Sequence, residues 1–329
     1  MNFLSLALQK DIYYNDKYIS LYLKEDEELF SFRYQEDENI FINKTIKRPI
    51  YKIGNYNLKK VYYDLETAYG YGGFYTNCYD EMFLERAMGE YTQKCIDENI
   101  IAEFMRFHPM NSFPIKEKHF FTFNIYDRDT VIVDLSQDIL MSYSSKVRNT
   151  VKRALEKVDI SESDNIDAFM EMYHETMKKN NADTFYFFDK TMYSNLYNLK
   201  ETRLYEVRYE DSIIAMAFFM FGEELVHYHL SANSPQSYLL NANYALLHTL
   251  FDIAKESGKK YFLLGGGTSS QNDDPLFKFK SKFSKMKAPF YISGKIYQED
   301  IYKEYNKIWE EQSQKEIQYF LKYRLGIES

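Results

Sequence analysis

The apolar positions of the chain follow the same order of periods twice. In the second half, "IDAFMEMYHETMKKNN" sets Ile166, Phe169, Met170, Tyr173 and Met177 at helical spacing. Three apolar runs follow in "RLYEVRYEDSIIAMAFFMFGEELVHYHLSAN", parted by Glu210-Asp211 and Gly222-Glu223-Glu224, and predict an antiparallel meander. Its middle run, Ile213 to Phe221, is apolar throughout, the pattern of a strand buried on both faces. "ANYALLHTLFDIAKESG" reads as a helix apolar nearly all round, stopped at Gly258. Then come "KKYFLLGGG", a strand ending in glycines, and "DPLFKFKSKF", a short helix capped by Asp274 with Pro275 in its first turn. The last strands are "FYISGKIYQ".

The first half runs in parallel. A hairpin over "ELFSFRYQEDENIFINKTI" precedes a strand, "KKVYYDLETAYGYGGFYTN", and a helix, "DEMFLERAMGEYTQKCIDEN"; "IIAEFMRFHP" is the next strand and "FFTFNIYDRDTVIVDL" a final hairpin. At 329 residues the chain exceeds the usual single domain. The repetition predicts two domains of one architecture, 1–145 and 146–300, joined near Ser142 to Lys157. In the tail Ile301, Tyr305, Ile308, Trp309, Gln312 and Ile317 keep helical spacing, and the helix over 301–329 is expected to fold back on the first domain.

Composition narrows the function. Aromatics reach 18%, which argues against disorder. No segment approaches about eighteen uninterrupted apolar residues, and the start lacks a basic flank and a cleavage site, so a cytoplasmic protein with at most peripheral membrane contact is expected. Cys78 and Cys95, the only cysteines, read as reduced packing residues. A net charge of -8 argues against DNA or general nucleic-acid binding. Two basic islands stand out, Lys146 to Lys157 and Lys278 to Lys287, as places for one particular anion or as solvated helix faces.

Gly265-Gly266-Gly267-Thr268-Ser269-Ser270 fits neither a Walker loop nor a dinucleotide fingerprint. Glycines at a strand end let a ligand or another backbone come close. His227 and His229, two apart on a strand, are expected to share a face, and without a third ligand nearby no metal is expected. In "AEFMRFHP" a carboxylate inside a strand needs a partner or a use, so Glu103 and His108 are candidates for proton transfer and Arg106 for an anion clamp. "YGYGGF" joins Tyr71 to Gly72 and Gly73, a pairing suited to stacking on a sugar ring or to a packed strand end.

The order of elements, together with Leu276, Phe279, Lys280 and Phe283 spaced as Leu-x-x-Phe-Lys-x-x-Phe some ten residues after a glycine-rich strand end, resembles the FemAB-like branch of the GNAT acyltransferase superfamily. "YGYGGFYTN", "EFMRFHPMNSF" and "SSKVRNTVKRALEK" are similar to their counterparts there, so the resemblance spans most of Val61 to Gly294. It implies an α/β (α+β) fold of two tandem GNAT-like domains, each a mixed, mostly antiparallel sheet flanked by helices. It also implies an N-acyltransferase acting on an amine of a nucleotide-linked or lipid-linked cell-envelope or polysaccharide precursor.

By that resemblance Lys280 lies at the transfer groove, His229 joins Glu103 and His108 as a candidate base, and Arg148 and Arg153 face the acceptor's phosphates. The donor's pyrophosphate would sit in the loop from Ala232 to Asn243, with Ser231, Asn233, Asn243 and the glycines 265–267 around the donor. That loop contains no glycine. Acyl-CoA is the expected donor and aminoacyl-tRNA, as in peptidoglycan-bridge enzymes, the alternative; a non-catalytic sugar- or peptide-binding module is the third reading. The path from Asp164 to Gly294 leaves no room for the long helical hairpin many FemABX proteins insert, which favours a small-amine acceptor.

Overall fold

The computed structural model describes residues 7–271 and 273–327. The chain forms two compact units, 7–9 with 13–127 and 289–327, and 10–12 with 128–288.

In the first unit three antiparallel strands, Glu28–Glu36, Asn39–Ile53 and Tyr56–Glu66, lie side by side. Helix Glu81–Asp97, capped by Asp80, then carries the chain to Ile100–Arg106, which pairs parallel with the third strand. That strand pairs antiparallel with Ile292–Ile296 of the Lys287–Ile296 strand. Phe83, Leu84, Ala87, Met88, Tyr91 and Cys95 on one face of the helix bury against Phe41, Phe74 and Phe107. The apolar spacing that predicts this helix is thus its core stripe.

The second unit repeats the order. Asp159–Glu162, Thr202–Tyr209, Ser212–Phe221 and Leu225–Asn233 pair antiparallel in sequence. Helix Ala242–Glu256 leads to Tyr261–Gly265, parallel to Leu225–Asn233, and Tyr261–Gly265 pairs antiparallel with residues 131–134 of Phe123–Asp134. The wholly apolar 213–221 run has both faces covered, nearly all of it buried.

Four sequence expectations change here. "FFTFNIYDRDTVIVDL" is one strand, Phe123–Asp134, not a hairpin, because ladder partners take up the polar trio Asp127-Arg128-Asp129 that reads as a turn. The two units exchange their last strands: residues 289–296, expected in the 146–300 domain, complete the first unit, and residues 128–134, expected in the 1–145 domain, complete the second. The expected joint near Ser142 to Lys157 is instead a helix of the second unit, Ser145–Leu155, capped by Ser144 and buried through Val147, Val151 and Ala154. The tail helix, Glu299–Ser313, ends at left-handed Gln314, leaving Ile317 outside it.

That tail packs in the first unit, with Tyr305, Trp309, Leu321 and Tyr323 against Ile50, Ile53, Ile101 and Ala102. Beyond the helix, Arg324 donates from Nε and Nη2 to the buried carboxylate of Asp64 at 2.8 and 2.9 Å, and Arg48 donates to it at 2.8 Å. Burial would raise the Asp64 pKa, but the two guanidinium groups hold it below its ordinary value. No helix among the described residues is long and apolar enough to cross a membrane.

Candidate transfer site

In the second unit, Leu225–Asn233 and Tyr261–Gly265 are paired only from Leu225/Tyr261 to His227/Leu263. Just beyond, each strand slips register against its other neighbour. The slip falls between Tyr228 and Leu230 in one and between Leu263 and Gly265 in the other. A bulge bends and twists its strand, so the two strands part and leave a notch between their facing edges. The glycines follow at the notch's far wall, with Gly265 in left-handed backbone at φ +76.

Asp274 holds this wall. Its Oδ2 accepts from Thr268 N and Oγ1 and from Ser269 N and Oγ at 2.6 to 3.1 Å, while Oδ1 caps the helix Pro275–Lys280 through Phe277 N at 2.9 Å. Burial raises the pKa of this carboxyl, but those donors outweigh it and bring it down to about 2. A Cβ on Gly267 would stand 2.3 Å from Asp274 Oδ1, so the clamp requires glycine there. Arg128 Nη1 donates to the Gly267 carbonyl at 2.9 Å.

The helix capped by Asp274 delivers Lys280 into the notch. Its side chain is buried, Nζ donates to the Gly266 carbonyl at 2.7 Å, and the ammonium lies 5.9 Å from the ring centre of Tyr228 on the opposite strand. Burial pushes Lys280 down to about 8, with Asp274 opposing and Arg128 adding to the shift. Of the neighbouring lysines, Lys278 is exposed and Lys282 donates to the Tyr244 hydroxyl at 2.8 Å. Helical geometry separates the three.

The sequence reading did not single out Tyr228. Its signal is parity: it stands between two histidines where the strand bulges. Burial raises its pKa to about 12, against a hydrogen bond from Ser231. His229 sits at the bulge itself, so the even spacing from His227 does not carry a shared face; desolvation, with His227 close by, pushes its pKa down to about 3 and keeps the ring neutral. His227 Nε2 lies 2.7 Å from Asp11 Oδ2, both buried.

The expected pyrophosphate loop, Ala232 to Asn243, is not a loop. The strand runs to Asn233, a short helix Pro235–Leu240 follows, and a left-handed Asn241 turns the chain into helix Ala242–Glu256. Asn233 and Asn243 come together, Asn243 Nδ2 donating to Asn233 Oδ1 at 2.8 Å. Proline supplies no N–H at the first turn, and the Ser234 hydroxyl makes no cap. Arg148 is folded onto its own segment, donating to the Tyr143 carbonyl at 3.2 Å, and Arg153 is exposed on the same helix.

The remaining site residues belong to the first unit. Gly72 bridges to Phe107, and its carbonyl accepts from Tyr14 OH at 2.9 Å. Gly73 has φ +83, and a Cβ there would lie 2.7 Å from the Phe107 ring. The Tyr71 ring stands edge-on to Tyr13 and to buried His108, whose Nδ1 accepts from Met110 N at 3.1 Å. Glu103 is fully buried in a closed set, accepting from Asn43 Nδ2 at 2.6 Å, Tyr91 OH at 2.8 Å and Tyr297 OH at 2.6 Å. Burial raises its pKa against those three donors. Arg106 is engaged as well, by Glu66 at 3.0 Å and the Thr67 carbonyl at 2.6 Å. Glu103 and Arg106 therefore have partners of their own, which a strand pattern does not reveal.

Each unit is built of mostly antiparallel strands with helical crossovers, and the second has a notch where its parallel strands part. Residues 143–280 match the family described as acetyltransferase (GNAT) domain. No curated protein matches the chain in sequence. The chain is similar to the crystal structure of FemX, with 14% identity and a TM-score of 0.66 over 92% of this chain and 96% of that one. It is also similar to the C-terminal domain of a putative lysylphosphatidylglycerol synthetase from Agrobacterium fabrum (12%, 0.55, 85% and 86%). L-PGS from Bacillus licheniformis gives 14% identity and a TM-score of 0.50 over 82% and 84%. At these identities the likeness is one of fold.

Proposed function

We propose that the protein is an N-acyltransferase of cell-envelope precursors, working at the notch between Leu225–Asn233 and Tyr261–Gly265. The observation that carries this reading is a buried ammonium, Lys280, held on the Gly266 carbonyl where parallel strands separate. The acceptor amine attacks the donor's acyl carbon, the carbonyl oxygen takes the negative charge, and as the C–S or C–O bond breaks and the amide forms, the proton lost by the amine ends on the departing thiolate or ribose oxygen. Lys280 and strand-edge N–H groups stabilise that oxyanion. His229, neutral and weakly basic, accepts a hydrogen bond from the amine and orients it, and proximity supplies much of the rate.

Acyl-CoA is the proposed donor. A second reading, aminoacyl-tRNA, is favoured by one observation: the segment 232–243 offers a proline and a short helix where a glycine turn would cradle pyrophosphate. The acceptor proposed is a nucleotide-linked or lipid-linked amino sugar or peptide.

Thermal stabilisation with each donor in turn tests the assignment. Acyl-CoA is expected to raise Tm in a concentration-dependent way. Retention of aminoacyl-tRNA without a response to acyl-CoA assigns the second donor, and a response to a nucleotide sugar alone assigns a binding module and overturns transfer.

A further inference from the structure

The strand that forms one wall of the notch ends at a tip of exposed apolar side chains that the transfer chemistry does not use. On the short helix Pro235–Leu240, Leu239 is 81% exposed and Tyr238 55%; Phe185, in the turn 184–186, is 56% exposed. Helix Ile166–Lys179 connects the two. Its Thr176 hydroxyl accepts from Asn233 N at 3.1 Å, and the Lys179 ammonium sits 5.0 Å from the Tyr238 ring centre. The chain leaving that helix folds straight back, with Ala182 N donating to the Met177 carbonyl and His174 Nε2 lying 3.0 Å from the Phe188 carbonyl oxygen.

Charge at the tip is sorted. Asp183 and Asp189 are spent as caps, accepting from Phe185 N at 2.9 Å and Met192 N at 2.8 Å. Lys178 and Lys179 end their helix exposed, with Glu175 one turn behind them. Tyr238 thus stands beside the Lys179 ammonium, with Leu239 next to it on the same short helix and Phe185 in the turn that follows the lysines along the chain. That combination suits a bilayer interface: apolar ends enter the acyl boundary, the tyrosine hydroxyl stays at the headgroups, and lysines reach phosphate.

We propose that this tip docks on the surface of an anionic phospholipid bilayer, Leu239, Tyr238 and Phe185 inserting and Lys178 and Lys179 contacting lipid phosphates. In a chain of net charge -8 the attraction is local, so insertion supplies most of the binding and added salt weakens it only in part. Docking sets the notch at the membrane surface, a consequence that rests on the transfer reading; the docking itself does not.

Flotation of the full chain with vesicles tests it. The chain is expected to float with phosphatidylcholine vesicles containing phosphatidylglycerol, and less with phosphatidylcholine alone. The double substitution F185S/L239D is expected to lower partition at least about tenfold with an unchanged Tm, and K178E/K179E to abolish the gain from phosphatidylglycerol. Absence of flotation with either vesicle overturns the proposal, as do variants that float like the parent. A concentration-dependent dimer abolished by L239D, without flotation, assigns the tip to a second copy of the chain instead. Turnover of a water-soluble amine is expected to be equal in the parent and F185S, which lies outside the segment 232–243, so failure of docking and failure of the transfer reading are read separately.

Discussion

Lys280 Nζ and the Gly266 carbonyl oxygen, 2.7 Å apart, tie the end of a short helix to the end of a strand. The lysine does so while buried, at a pKa of about 8. Its ammonium form is the one that stabilises an oxyanion, so kcat/KM is expected to fall as pH rises through about 8. Lys280→Arg, which does not titrate in this range, extends the plateau upward. Lys280→Ala lowers kcat by about 10²- to 10³-fold. Full-rate transfer by a folded Lys280→Ala protein removes Lys280 from the mechanism.

The same lysine makes a stability prediction. Its folded pKa lies below the ordinary 10.5, so the unfolded chain binds more protons between about 8 and 10.5. Stability therefore rises with pH through that window, and the slope disappears in Lys280→Ala; chemical denaturation at stepped pH reads it.

Asp274 gives a slope of the same sign, in acid. Its pKa is depressed from 3.8 to about 2, so its contribution is present above 3.8 and is lost as pH falls through about 2. Asp274→Ala is expected to cost about 2 to 3 kcal/mol at neutral pH and to flatten the acid limb of a thermal melt.

Gly267→Ala is expected to push that carboxylate off its donors, since the new methyl would meet Oδ1. The cost is about 1 to 3 kcal/mol. In a double-mutant cycle, Gly267→Ala adds little once Asp274 is alanine. Additive losses break the link between the two residues.

Glu103→Ala strands three buried donors and is expected to destabilise by about 2 to 3 kcal/mol, whereas Glu103→Gln stays within about 1 kcal/mol of the parent. A carboxyl with a raised pKa makes stability decline as pH rises above 4.5, and the glutamine variant lacks that slope. Transfer by Glu103→Gln is expected near the parent rate; a loss of 10²-fold or more identifies Glu103 as the proton acceptor after all.

Much of this was legible in the order of residues. The helix over Ile166–Lys179, the three-strand meander, the cap at Asp274 and the inward turn of one lysine among three follow from periodicity and local hydrogen bonding. Tertiary pairing is what escaped. Nothing local distinguishes a hairpin at Asp127-Arg128-Asp129 from a through-going strand, and nothing in "FYISGKIYQ" says that it pairs with Ile100–Arg106. Bulges are equally silent: the slips at His229 and Leu264 arise from neighbouring strands, so Tyr228 stayed hidden while its histidine neighbours drew notice. Glu103 and Arg106 looked like reactive groups because their partners Tyr91, Tyr297 and Glu66 lie on other elements, 12, 194 and 40 residues away.

The exchange of last strands also dictates when each unit can form during synthesis. Residues 128–288, contiguous except for 10–12, leave the ribosome as one nearly complete body. The earlier-made first unit still lacks the strand that pairs with Ile100–Arg106, the Trp309 helix and the Arg324 clasp on Asp64. Vectorial synthesis ordinarily favours the N-terminal domain. In this chain the first unit is completed by residues 289–327, whose Tyr305, Trp309, Leu321 and Tyr323 cover Ile50, Ile53 and Ile101.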